Sequence, residues 1–392
     1  MIEEAEMSTT DPGEHYRYGG ASQPDGGPGS RYPYDPQRKF VAGDNIEVPE
    51  ETSEYDSGRE QLEISMADQI SIGNRKVCWT VTLVALVTII VLWWVKTSAS
   101  PTSQIPKTPE PNHFSQNGYE HVTDSRGNKY SIVAIYDRAP IHYTQGFYFV
   151  DATGQLLESA GYWGKSKIQY LELTEPTSPG AHGTSKVVKA TDNSVNEFAE
   201  GCTMVNQRGK NWVYQLTWKS RQIFRYNSDL VLDKVFSMPA AMQEGWGLSH
   251  NPNNGNEMFA TDSGATIFTL SPNAQDTELQ LVGQKQIVNE NGFAVNSLNE
   301  LEHTGTTLFS NVYLSSSIQL IDLGNGKVRR SIDMSRLITL ATQAYNKTTG
   351  RYLDYQQCLN GIAYDKKEDV FYLTGKEWPL IFKIKFPREY YI

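Results

Sequence analysis

Cysteine is scarce in this chain, with Cys78, Cys202 and Cys358 the whole complement in 392 residues. A disulfide scaffold is excluded by that count. Cys78 falls in an apolar run, and Cys202 and Cys358 are left as either one bridge or two free thiols. Histidine is sparse as well: His15, His113, His121, His142, His182, His250 and His303 are scattered, with no pair at helical ligand spacing. That argues against a zinc hydrolase and against any catalytic metal. No GxSxG, HExxH, paired CxxC or Walker A motif occurs, nor a GxGxxG opening a helix, which removes the commonest hydrolase, nucleotide and dinucleotide chemistries. No cofactor is expected. A structural calcium ion is left open, without a ligand loop that demands one.

Charge is also missing where most of the chain lies. Residues 1–76 hold 16 acidic and 7 basic side chains, whereas the remainder holds 29 and 28. A near-neutral remainder lacks the basic footprint of a nucleic-acid binder. The acidic stretch 1–76 is rich in Gly, Pro, Tyr and polar residues. It reads as a disordered tail, because it has too little apolar surface to offset the entropy of ordering.

Residues 77–95, VCWTVTLVALVTIIVLWWV, carry no charge and have Trp79 at one end and Trp93 and Trp94 at the other. Their length suits a bilayer core, and indole rings favour its two boundaries. The segment is read as a transmembrane helix and signal-anchor, since it starts too far into the chain for a cleaved leader. Arg75 and Lys76 against Lys96 predict a cytosolic tail and a luminal or extracellular C-terminal side. The sequon Asn346-Lys347-Thr348 agrees with that side, with Asn346 as the glycosylation candidate. Residues 96–129, rich in Pro, Ser and Thr at their start, read as a stalk.

Beyond the stalk, short Val-, Ile-, Tyr-, Phe- and Trp-rich runs alternate with Gly/Asn/Asp/Ser turns, which predicts an all-β domain over 130–392. A short signature recurs within it: Gln145-Gly146-Phe147, Glu200-Gly201-Cys202, Glu244-Gly245-Trp246, Asn299-Glu300-Leu301 and Asn360-Gly361-Ile362. The spacing fits one four-stranded propeller blade per repeat. The last repeat offers only three strands, and YSIVAIYD at 130–137 supplies a fourth. Five blades closed into a ring by an N-terminal strand are therefore expected.

In such a ring the signature opens the innermost strand of each blade. Gln145, Glu200, Glu244, Asn299, Glu300 and Asn360 then converge on one channel mouth, as polar groups that either satisfy one another or meet a ligand. Trp218, Trp246, Tyr313 and Trp378, one from each of four repeats, are candidate walls. Lys376 is a candidate cation beside them.

These residues carry a family likeness. Tyr143-Thr144-Gln145-Gly146-Phe147, Glu158-Ser159-Ala160-Gly161-Tyr162-Trp163-Gly164, Phe198-Ala199-Glu200-Gly201 and Gln215-Leu216-Thr217-Trp218 come in order. Glu244-Gly245-Trp246-Gly247-Leu248-Ser249-His250, Leu298-Asn299-Glu300-Leu301-Glu302, Leu359-Asn360-Gly361-Ile362 and Thr374-Gly375-Lys376-Glu377-Trp378-Pro379 follow. The set resembles the plant- and bacterial-type glutaminyl-peptide cyclotransferases over about residues 130–386. The resemblance implies a five-bladed β-propeller that converts an N-terminal glutaminyl residue of a peptide or protein to pyroglutamate and ammonia without metal. It implies Glu200 as the general acid and base, with Gln145, Asn299 and Lys376 as substrate and charge contacts. It further implies that Trp218, Trp246 and Trp378 enclose the glutaminyl side chain. Asn311-Val312-Tyr313 departs from the family's usual Asn-Val-Trp, and residues near 207–211, 285–297 and 340–356 lengthen loops. Those departures keep a second reading open, a propeller that binds peptides or glycans with little or no turnover. A third reading is a scaffold acting through its tail and stalk.

Overall fold

A computed structural model describes residues 120–392. The tail, the apolar segment 77–95 and the stalk as far as residue 119 lie outside them. Among the described residues no helix is long and apolar enough to cross a membrane.

The described chain is all-β. β1 (Glu120–Thr123) hangs on β2 (Lys129–Arg138). The sheet therefore begins within the residues read as stalk. β3 (Thr144–Val150), β4 (Gln155–Ala160), β5 (Lys167–Thr174) and β6 (Gly183–Asp192) form one antiparallel run. β7 (Ala199–Gln207), β8 (Lys210–Thr217), β9 (Gln222–Asn227) and β10 (Leu232–Ser237) form the next. β11 (Leu248–Asn251), β12 (Asn254–Ala260), β13 (Thr266–Pro272) and β14 (Leu279–Gln286) form a third. β15 (Leu298–His303), β16 (Leu308–Val312), β17 (Ser317–Asp322) and β18 (Lys327–Asp333) form a fourth. The last run is β19 (Leu359–Asp365), β20 (Val370–Gly375), β21 (Leu380–Lys385) and then β2, so a strand from the start completes the sheet at the end. Tyr136–Arg138 of β2 also pairs in parallel with Gly183–Ser185 of β6, which fuses the first and last runs into one sheet.

Burial falls steadily across each run. β3, β7, β15 and β19 are buried almost throughout, whereas β6, β10 and β14 are largely exposed and β18 is mostly half-buried. A strand covered on both faces reads as a continuous apolar run, and one covered on a single face alternates. The first strand of each run is thus the inner one. β3 lies against β7, β7 against β11, β11 against β15, β15 against β19, and β19 back against β3.

The core follows the same order and is divided into five wedges. Leu157 and Ile168 meet Cys202 and Phe224; Leu216 and Ile223 meet Leu248 and Phe268. Ile267 meets Leu301 and Ile321; Phe309 and Leu320 meet Ile362 and Phe371. The last wedge joins Ala363 and Ile381 to Phe147 and Leu156.

One helix was not expected. α1 (Ser335–Thr349) occupies part of the stretch read as a lengthened loop. Leu337 and Ala341, four residues apart, bury one stripe against the fourth and fifth runs, and Gly350 ends the helix in the left-handed conformation. Asn346 lies in its last turn and is half-buried. Cys202 and Cys358 are both free thiols.

Candidate active site

At the entry to the inner strands the ladders slip. Register shifts fall at Thr144/Gly146, Ala199/Cys202, Leu298/Leu301 and Leu359/Ile362. A bulge redirects the side chain it carries, so Gln145, Glu200, Asn299 and Asn360 occupy equivalent places in their repeats. The third repeat needs a correction. Its equivalent triplet is Trp246-Gly247-Leu248, because Leu248 opens β11 and Thr261 N–H bonds to the Gly247 carbonyl. Glu244 therefore stands two residues ahead of the ring, in the incoming connection.

The glycines of the signature bring these strands into contact. A Cβ on Gly146 would stand 2.3 Å from the Cys202 nitrogen, one on Gly201 2.4 Å from the Leu248 nitrogen, and one on Gly247 1.9 Å from the Asn299 carbonyl oxygen. Only a residue without a side chain fits such approaches. In the fourth repeat Glu300 takes the glycine's place. Its two carboxyl oxygens accept the N–H groups of Phe147 at 3.1 Å and Ile362 at 2.8 Å, tying three inner strands together.

Glu200 is buried and accepts a hydrogen bond from Gln145 Nε2 at 3.2 Å on its Oε1. Asn360 Nδ2 donates in turn to Gln145 Oε1 at 3.3 Å and to the Thr144 carbonyl at 3.0 Å. Burial pushes the Glu200 carboxyl well above the ordinary carboxylate range; Lys376 and Lys219 oppose that shift and Glu244 adds to it. Lys376 is itself buried, its Nζ 5.0 Å from the Tyr143 ring centre and 4.8 Å from that of Tyr313. Ring faces stabilise the ammonium without neutralising it.

Glu244 orients two of the walls. It accepts Trp218 Nε1 at 2.9 Å and Trp246 Nε1 at 3.0 Å, and it pairs with Lys219. Both indole N–H groups are thereby engaged, which fixes the planes of the rings. Tyr313 stands edge-on to Trp246 at 5.5 Å, while Phe198 and Trp163 pack against Trp218 at 5.7 and 6.3 Å.

A second buried layer supports the first. Arg138 and Glu158 are ion-paired out of solvent. Arg138 Nη1 donates to Thr144 Oγ1 at 2.9 Å and Thr374 Oγ1 at 3.3 Å, and Thr144 Oγ1 donates to Glu158 at 2.7 Å. Burial would raise the Glu158 carboxyl, but Arg138, His142 and hydrogen bonds from Thr144 and Gln169 together hold it below its usual value. Thr144 precedes Gln145 and Thr374 lies two residues before Lys376, so this network clamps the strands that carry both.

Several polar ends in this region have no hydrogen-bond partner. Asn299 Oδ1, Asn360 Oδ1 and Asn311 Nδ2 are buried and unpaired, a state that costs about 1–3 kcal/mol for each group. Asn360 reaches Gln145, which holds Glu200, and Asn311 Oδ1 accepts the Gly361 N–H at 3.0 Å. Among the described residues no group of three or more His, Cys, Asp or Glu side chains could hold a metal ion.

The sequence model of the glutamine cyclotransferase family matches residues 106–386. The chain belongs to that family. It is 30% identical over 260 residues to a glutaminyl-peptide cyclotransferase of Arabidopsis thaliana, covering 66% of this chain and 72% of the relative. It is also similar to the crystal structure of a glutaminyl cyclase of Myxococcus xanthus, with a TM-score of 0.51 and 26% identity, covering 65% of this chain and 95% of the other.

Within this cyclotransferase the structure gathers Gln145, Glu200, Trp218, Trp246, Tyr313 and Lys376 around one centre, and it places Asn299 and Asn360 at equivalent points of the inner ring. Two candidates are placed differently. Trp378 is fully buried in the wedge between the fourth and fifth runs, lying flat on Gly375, with its Nε1 donating to the Gln357 carbonyl at 2.8 Å. It supports the turn carrying Lys376 instead of facing substrate. Glu300 spends both oxygens on backbone N–H groups, so it is a tie between strands. Tyr143, Phe198, Trp163, Asn311 and the Arg138–Glu158 pair were not among the sequence candidates. The first three and Glu158 stand inside the quoted motifs, whereas Arg138, which pairs with Glu158 from another strand, has no local signal.

Proposed function

We propose that Glu200 is the proton shuttle with which this glutaminyl cyclase converts an N-terminal glutaminyl residue of a peptide or protein to pyroglutamate. The substrate's α-amine attacks its own side-chain carboxamide carbon, so nucleophile and electrophile already share one molecule. During the reaction the attacking nitrogen loses one proton and the departing nitrogen gains one, leaving as ammonia. Glu200, kept protonated by burial, gives its proton to the departing nitrogen and recovers one from the ring nitrogen, ending as it began. Its Oε1 takes the Gln145 N–H, so Oε2 is the oxygen that hands over the proton. Lys376 stabilises the negative charge that develops on the carboxamide oxygen. Trp218, Trp246 and Tyr313 enclose the side chain, and the unpaired Asn oxygens accept N–H groups of the substrate.

The observation that carries this reading is a carboxyl group with a strongly raised pKa, held by an amide, within the field of a buried ammonium. Mass spectrometry of a short Gln-initiated peptide incubated with the full chain is the test. Loss of the mass of ammonia, undiminished by EDTA, is expected. An unmodified peptide that nonetheless binds would instead establish the non-catalytic reading. Lys376→Met is expected to lower kcat by roughly 10²-fold, the scale of one lost oxyanion donor; an unchanged kcat in an ammonia-release assay assigns that role elsewhere.

The five four-stranded runs are proposed as blades of a propeller, supported by the cyclic order of inner strands and the five wedges. Residues 77–95 are proposed to span a membrane, with residues 1–76 cytosolic and the catalytic domain on the luminal or extracellular side. Their uncharged length, the flanking Trp residues and the basic pair Arg75-Lys76 support that placement.

A further inference from the structure

A groove of about 240 Å³ opens beside the site, lined by Ile141, His142, Tyr143, Gly161, Tyr162 and Glu377 among others. It is continuous with the catalytic centre in two ways. Its wall residue Tyr143 is bridged through the backbone to Lys376 and carries the Lys376 ammonium over its ring. Gly161 also lines it, and a Cβ there would stand 2.5 Å from the Ala199 carbonyl oxygen and 2.8 Å from Gln145 Cγ, so the groove borders the segments that carry Gln145 and Glu200.

The outer wall is Tyr162, 43% exposed and edge-on to Tyr143 at 6.1 Å. The charges around it are already engaged. Lys165 Nζ lies 5.7 Å from the Tyr162 ring centre, Glu377 accepts Gln357 Nε2 at 2.7 Å, and burial pushes the His142 imidazole below its usual pKa against the pull of Glu158. Beside these polar groups the groove offers a ligand the side chain of Ile141 and the rings of Tyr143 and Tyr162.

Resting on the cyclisation reading, we infer that this groove receives the side chain of the residue that follows the N-terminal glutamine, and that it prefers an aromatic one. A substrate bound with its glutaminyl group at Glu200 must lead the rest of its chain away from the centre, and the groove begins where that group ends. Aromatic contact of this kind corresponds to roughly a tenfold preference.

The test compares Gln-Phe-Ala-amide with Gln-Gly-Ala-amide on the full chain. The wild type is expected to favour the Phe peptide roughly tenfold in kcat/KM. Tyr162→Ala is expected to erase that ratio by raising KM for the Phe peptide, leaving the Gly peptide as before, and Tyr162→Phe to retain it. Equal turnover of the two peptides by the wild type overturns the inference, as does a ratio that survives Tyr162→Ala or an equal slowing of both. If the wild type cyclises neither peptide, the cyclisation reading falls, and this one with it.

Discussion

Glu200→Gln is expected to lower kcat for cyclisation by roughly 10³-fold, the scale on which a positioned general acid and base contributes. Gln is nearly isosteric and can still meet the Gln145 amide, but it can neither donate an acidic proton nor recover one. The stability of the variant is the informative control. The Glu200 carboxyl is raised in the folded state, so between its unfolded value near 4.5 and its folded value the native protein holds a proton that the unfolded chain has lost. Stability therefore falls as pH rises through that window. Gln removes the titration, so the variant is expected to melt at the wild-type temperature or above it at pH 8, with a flatter pH dependence. Activity should show two limbs. The acid limb follows the substrate's α-amine, which titrates near about 8 and must be neutral to attack. The alkaline limb follows loss of the Glu200 proton. Cyclisation by Glu200→Gln at the wild-type rate would falsify the assignment outright.

Gly247→Ala is expected to abolish accumulation of folded protein. The added methyl would stand 1.9 Å from the Asn299 carbonyl oxygen and 2.8 Å from Glu300 Cα. Both contacts are backbone of the neighbouring inner strand, and no side-chain rotation relieves them. Overpacking usually costs about 1–3 kcal/mol where side chains can yield. Here a whole strand must shift, and the expected cost exceeds ~4 kcal/mol, a large part of a domain's total stability. Gly154→Ala is the matched control. Its Cβ meets nothing within 4 Å, although φ is +70°, so only a modest loss tied to the left-handed backbone is expected. Thermal melts of the two variants side by side separate steric exclusion at the ring from backbone strain in a turn.

Much of this architecture was legible because the strands announce themselves locally. The run read at 130–137 is Lys129–Arg138 in the structure, and the shortage of one strand in the last repeat is met by it. What the sequence could not decide was register. Gly245, after Glu244, fits the polar-Gly-apolar signature and Gly247, after Trp246, does not, yet the pairing of Gly247 with Thr261 and its approach to Asn299 select the second. Trp378 reads as a pocket wall because it is one of four aromatics at similar offsets in four repeats. Its direction depends on Gly375 and on the Gln357 carbonyl, which comes from the segment after α1. α1 itself buries only Leu337 and Ala341 fully, too short a stripe to stand out from a polar insertion. The Arg138–Glu158 pair is assembled from β2 and β4, and although Glu158 opens a quoted motif, nothing near it in the chain names Arg138 as its partner.

The pairing of β2 with β21 has a consequence for how the protein is made. Ile132 meets Ile384, so β2 finds this antiparallel partner only after about 250 further residues have been made. At about 5–20 residues per second that interval is on the order of tens of seconds. Throughout it Lys129–Arg138 offers an unpaired β-edge, a template for mispairing with other nascent chains. Protection of that edge of β2 is therefore needed until β21 has emerged.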